Sequence, residues 1–202
     1  RPNRECNRLS CATKMSQVIH TKKYESAVLY FASAVEQLGS TKLAKLLYYL
    51  DFINFRDRGA SITGTKYYKQ EYGPLAKDLV EIVGNLVEKN QLKVESFIHP
   101  KYKREAHRYS ALVKPDMNVF TEDEQILLRK LVNKYTTLSS DEIVAKSHLE
   151  APWQKAKEGA ELDYKFAFDV EDFNVIHYHA NELSYRKVGE VVQLFLDGQT
   201  KS

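Results

Sequence analysis

Two cysteines, Cys6 and Cys11, are all that the 202 residues contain. They sit together in a polar stretch without the second pair or the histidines that a zinc site requires, so neither a disulfide framework nor a metal site is read there. Glycine and proline are also few, 8 and 5, and they form neither a repeat nor a low-complexity tract. No apolar run approaches the roughly 20 residues needed to span a bilayer, and no signal-like apolar segment opens the chain. These absences predict a cytoplasmic protein without a membrane contact. There is no phosphate-cradling glycine loop, no nucleophile elbow and no HExxH helix, so the sequence supports neither an enzyme nor a cofactor. An excess of one charge is missing as well. Of 30 basic and 27 acidic side chains, Arg1, Arg4, Arg8 and Lys14 against Glu5 account for the whole imbalance. From Met15 onward the chain is neutral and has no global electrostatic reason to seek nucleic acid. Residues 1–14 show no periodicity and read as a disordered or artificially added extension ahead of a natural start at Met15. Residues 15–202 read as a single domain.

What the chain has is apolar surface at helical spacing: 43% of its residues are hydrophobic, with 13 tyrosines and 9 phenylalanines. Thr41 to Gly59, TKLAKLLYYLDFINFRDRG, is the centre of it. Leu43, Leu46, Leu47, Leu50 and Ile53 form one stripe, and Tyr48, Tyr49, Phe52 and Phe55 widen it beyond a single face. Ser40 or Thr41 is placed to cap the start, Arg56 and Arg58 suit the negative end of the dipole, and Gly59 suits a left-handed stop. A helix over Lys22 to Leu38, stopped by Gly39, precedes it.

Beyond the central helix the period changes. Ser61 to Tyr72 reads as extended, and Pro74 is expected in the first turn of a helix with Leu75, Leu79, Ile82, Val83 and Leu86 on its buried face. Leu92–Ile98 and Arg108–Val113 read as a β-hairpin with a basic tip carrying Lys101, Lys103 and Arg104. Thr121 and Glu124 form a capping box for the next helix, and another is expected near Ser140 and Asp141. Pro152 breaks the pattern after that, and Trp153, the only tryptophan, is expected to be mostly buried. Glu182 to Leu196 reads as a final amphipathic helix. The fold class is therefore mainly α, an α+β domain with a small antiparallel hairpin.

Four blocks carry a resemblance. KLAKLLYYLDF (Lys42 to Phe52), ITG (Ile62 to Gly64), YGPLAKDL (Tyr72 to Leu79) and SHLEAPWQKAKEG (Ser147 to Gly159) resemble, in that order, the SocA-like or Panacea antitoxin domain. That family includes phage and mobile-element proteins. The resemblance spans roughly Lys22 to Leu183. It implies a mainly helical antitoxin of a toxin–antitoxin system that neutralises a cognate protein toxin encoded beside it. Direct protein–protein binding is the expected mechanism; a DNA-binding transcriptional regulator and a proteolytic adaptor are the alternatives.

Several residues stand out against blander readings. The helix–helix–helix–hairpin order suggests a winged helix. However, the solvent face of the third helix shows Asp78, Glu81, Asn85 and Glu88 with Lys77, and its carboxylates would repel phosphate, which leaves only the hairpin tip for nucleic acid. His177 and His179 would share a strand face near Glu182, but two histidines are too few for a metal. His148, in the family's His and Pro-Trp block, is expected to order its corner by hydrogen bonds. Asp51 interrupts an apolar helix: either it pairs with Tyr72, Lys42 or an arginine, or it lies on the wet edge. Gly73, Pro74, Pro152 and Trp153 read as structural. For the toxin contact, the tyrosines about the Gly73-Pro74 corner are the candidates: Tyr48, Tyr67, Tyr68 and Tyr72, with Lys69. Tyr67, Tyr68 and Lys69 are expected to be more exposed than Tyr72.

Overall fold

The structure, a computed structural model, describes residues 4–169. Helix α1 (Arg4–Ala34) buries Tyr24, Ala27, Val28 and Phe31, one face at spacings of three and four. It ends before the expected Leu38. Gln37 takes a positive φ of 52° and swings Leu38–Gly39 out as a short strand, β1. Gly39 therefore does not stop a helix; it pairs with Arg108.

Helix α2 (Ser40–Arg58) matches the expected centre of the molecule, and every residue from Leu43 to Asn54 is buried. A helix apolar all round can only be a core helix. Gly59 adopts φ 74° and its N–H reaches the Phe55 carbonyl at 2.7 Å, the left-handed stop read from the sequence. The start differs: Gly39 is the N-cap and no side chain caps it. The Ser40 hydroxyl is 3.0 Å from Tyr109 Oη instead, tying the helix start to the sheet.

The extended segment after α2 contains β2 (Tyr67–Tyr68), paired antiparallel with β3 (Leu75–Ala76). That pairing takes Leu75 and Ala76 out of the helix expected to start at Pro74, so α3 runs only over Leu79–Glu88. Its buried face is Leu79, Ile82 and Leu86, whereas Leu75 is exposed. Strands β4 (Leu92–Ile98) and β5 (Glu105–Ala111) form the hairpin; β5 begins three residues earlier than Arg108. With β1 they make a three-stranded antiparallel sheet in the order β1-β5-β4.

Helix α4 (Glu122–Tyr135) opens with the expected capping box of Thr121 and Glu124. Helix α5 (Ser140–His148) has a second, between Ser139 and Glu142. Pro152 does not break the next element but occupies the first turn of a short helix, α6 (Ala151–Lys155), where its missing N–H costs nothing. A 3-10 helix, Tyr164–Asp169, returns to the core and stacks Tyr164 on Phe52 with ring centres 4.3 Å apart. The result is mainly helical with a small antiparallel sheet. Among the described residues no helix is long and apolar enough to cross a membrane. The helix expected over Glu182 to Leu196, and His177, His179 and Glu182, lie outside the described residues.

Candidate protein-binding site

Two polar anchors join α2 to the segments that follow it. The first is Asp51, fully buried. Its Oδ1 accepts from the backbone N–H of Ile62 (2.7 Å) and Thr63 (2.8 Å). Its Oδ2 accepts from Thr63 Oγ1 (2.5 Å) and Tyr67 Oη (2.7 Å). Neither Tyr72, Lys42 nor an arginine is the partner, and the residue is not on a wet edge. Burial pushes the carboxyl upward, and the four donors oppose that. The first family-like block thus grips the second, ITG, and holds the loop into β2.

The second anchor is the Gly73-Pro74 corner. Gly73 has φ 86°, and a Cβ there would lie 2.5 Å from Ser147 Oγ and 2.6 Å from Lys45 Cε, so only glycine fits. Lys45, 2% exposed, donates its Nζ to the Pro74 carbonyl at 2.8 Å. Burial brings its pKa down to about 7. From the other side, Trp153 Nε1 donates to the Gln70 carbonyl (3.3 Å), and its ring stacks on His148 with centres 4.0 Å apart. Lys69 Nζ sits 3.9 Å over the Trp153 ring and donates to the Ala156 carbonyl at 3.1 Å. His148 hydrogen-bonds the Glu71 backbone, while burial first, then the charges of Lys45 and Lys69, lower its pKa to about 4. It is neutral at physiological pH, and its bond to the Glu71 backbone ties the end of α5 to this corner. Trp153 is half-buried rather than mostly buried.

The order of exposure among the tyrosines is the reverse of the expected one. Tyr48 and Tyr67 have no exposed surface, and they pack edge-on to one another with centres 5.8 Å apart. Both belong to the core, because β2 turns Tyr67 inward to Asp51. Tyr68 and Lys69 are half-buried. Tyr72 is 47% exposed. The hairpin tip folds over it: Arg104 lies 4.6 Å from the Tyr72 ring centre and 5.2 Å from that of Tyr102, and its Nη1 donates to Tyr72 Oη at 3.0 Å. Tyr102 Oη bonds to Asp141 of α5, and Lys101 pairs with the same carboxylate at 2.6 Å. Two of the tip's three cations are thus engaged within the protein, which reduces what the tip offers to phosphate.

A model of the family described as antitoxin SocA-like, Panacea domain, matches residues 43–154, more than half of the chain. The chain belongs to the SocA-like Panacea domain family. No curated protein and no solved structure matches it. The matched span contains both anchors. Three of the blocks that suggest a Panacea domain in sequence meet at one point, Lys45 from the first, Tyr72 to Pro74 from the third and Ser147 to Trp153 from the fourth. Membership carries an antitoxin-type role with a protein partner, and points to binding rather than chemistry. Sequence reasoning missed the parts that Lys45, Tyr102, Arg104 and Asp141 play here, reading Arg104 only as a cation of the hairpin tip. Lys45 had a signal, since with Asp51 it is a charge inside the helix's apolar run. The other three had none, because their meeting depends on how the hairpin folds back.

Proposed function

We propose that this protein is a cytoplasmic antitoxin that neutralises a cognate toxin by binding it directly, with no catalytic step. The contact is made by the outer face of the Gly73-Pro74 corner: Tyr68, Lys69, Tyr72, Tyr102, Arg104 and Trp153. The observation that carries the reading is the Tyr72–Arg104–Tyr102 stack, exposed yet pinned by Asp141. Tyrosine, arginine and tryptophan are the residues that dominate interface energies. Side chains already held in place lose less freedom on binding, so more of the contact energy appears as affinity. Tyr48 and Tyr67 support this surface from inside and do not touch the partner. On this reading residues 15–202 form one domain, and residues 1–14 are dispensable to neutralisation.

The test is rescue of cells arrested by the product of the neighbouring reading frame. Tyr72→Ala with Arg104→Ala, both exposed, should melt within a few degrees of wild type and lose rescue and toxin pull-down. Full rescue by the folded double variant refutes the placement. The toxin should persist in a stable complex; its disappearance in place of its inhibition would mark a proteolytic adaptor, and salt-sensitive binding to the protein's own promoter a transcriptional regulator.

A further inference from the structure

Strand β4 pairs with β5 residue by residue, from Leu92 with Ala111 to Ile98 with Glu105, and its run contains no bulge, glycine or proline. The order β1-β5-β4 leaves the other side of β4 without a strand among the described residues. At the two ends of the hairpin the Leu112 N–H donates to the Gln91 carbonyl and the His99 N–H to the Arg104 carbonyl, both at 2.8 Å. Bonded and non-bonded pairs alternate along an antiparallel ladder, so the odd-numbered residues of β4 are the ones that bond to β5. Leu92, Val94, Ser96 and Ile98 therefore aim their N–H and C=O groups outward, and the described residues offer those groups no hydrogen-bond partner.

A straight edge of this kind is a template for another strand, and proteins blunt it with proline, a bulge or a lysine whose own copy would repel it. Lys93 stands on this edge strand, but it does not stand alone. Glu95 follows two residues on, on the same face, and the two exposed side chains pair at 2.5 Å. Opposite charges at that spacing make the strand complementary to itself run backwards. Because the outward groups are those of the even-numbered residues, a two-fold axis between two antiparallel copies has to pass through a residue and not between two. Through Lys93 or Glu95 it would set that charge against its own counterpart, and through Ser96 it would set Glu95 against Phe97. Through Val94 it sets each Lys93 directly opposite the Glu95 of the second copy.

We infer that the free edge of β4 is a self-association surface whose occupant is a second copy of this chain, paired antiparallel about a two-fold axis at Val94. Leu92 then exchanges backbone hydrogen bonds with Ser96 of the second copy, and Val94 with its own counterpart. The two sheets become one, in the order β1-β5-β4-β4-β5-β1. Each ion keeps its neighbour in the strand and gains another across the axis, where opposite charges on directly facing residues stabilise the pair. Ile98, 66% exposed, comes to lie beside the turn that ends α3 of the second copy. The paired residues stop short of Tyr102 and Arg104, so the inference does not rest on where the toxin docks, and its test uses no toxin.

The experiment is sedimentation velocity and light scattering on the full chain. A single pair of edge strands buries less than a standard interface, so a weak dimer is expected to build up between about 1 and 200 µM. Lys93→Glu and Glu95→Lys, both exposed changes, each set like charges across the axis and should weaken the dimer about tenfold or more. Mixing the two variants should restore association as a heterodimer, because every facing pair is then opposite in charge. Ser96→Pro removes an outward N–H that β5 does not use; it should abolish the dimer while the melting temperature stays within a few degrees of wild type. A chain that remains monomeric throughout the concentration range overturns the inference. So does a dimer that survives Ser96→Pro but is lost on Val80→Asp, a change on the exposed side of α3. Failure of the mixed variants to associate refutes the axis at Val94.

Discussion

Replacing Lys45 by methionine should remove a pH dependence from the stability of this protein. The Lys45 ammonium is buried against the Pro74 carbonyl, and burial lowers its pKa from 10.5 to about 7. Below about pH 7 the side chain is protonated in the folded and unfolded chains alike, and the cost of burying the charge is fully present. Between pH 7 and 10.5 the unfolded chain holds the proton and the folded chain does not, so stability rises with pH, by at most about 1.4 kcal/mol per pH unit. From pH 6.5 to 9.5 that amounts to on the order of 3 kcal/mol. Measurement should stop there, because burial also raises the Tyr48 and Tyr67 hydroxyls, and their ionisation in the unfolded chain reverses the trend near pH 10. Lys45→Met is close in volume and cancels the titration, but it leaves the Pro74 carbonyl without its donor, a loss of about 1 to 3 kcal/mol. Urea unfolding at half-unit intervals should therefore show a rising wild-type curve and a flat variant curve. The variant should be close to wild type at pH 6.5 and less stable at pH 9.5. Parallel curves would refute the assignment of this slope to Lys45.

Gly73→Ala, which drives a Cβ against Ser147 and Lys45 at a positive φ, should cost about 2 kcal/mol or more in thermal or urea unfolding; a loss below a few tenths would show that the corner has slack. Tyr67→Phe removes one of four donors to Asp51 and should cost about 1 to 2 kcal/mol, whereas Asp51→Ala strands all four and should cost at least twice as much. Equal costs for the two would mean that the network does not act through Asp51. Trp153→Ala should cost about 1 to 2 kcal/mol rather than the ~3 to 5 of a fully buried aromatic, and should still impair toxin pull-down; a full-burial loss would contradict the half-exposed ring.

The elements that the sequence alone determined are those set by neighbours along the chain. Helix α2 ends at Gly59 because a left-handed residue and two arginines close it locally, and Thr121 with Glu124 starts α4 by bonds spanning three residues. Strand β4 is legible from its own run of residues. The blocks that mark the family are also a property of sequence order, so membership and the antitoxin-type role could be read before any fold was in hand. What only the tertiary structure decided depends on residues far apart. Nothing near Tyr67 says that it faces Asp51 and that Tyr72 faces water; β2 pairing with β3 decides both, and the same pairing shortens α3 at its start. Asp51 had to be paired once buried, but its partners lie 11 to 16 residues on and became available only when the loop folded back over α2. Arg104 meets Tyr72 across 32 residues, and Trp153 meets Gln70 across 83. Hydrophobic period and capping are local and repeat at short spacing, so a sequence displays them. Burial order and hydrogen-bond partnership are settled by which distant surfaces close on one another, and here that closure brings separate motifs together at the Gly73-Pro74 corner.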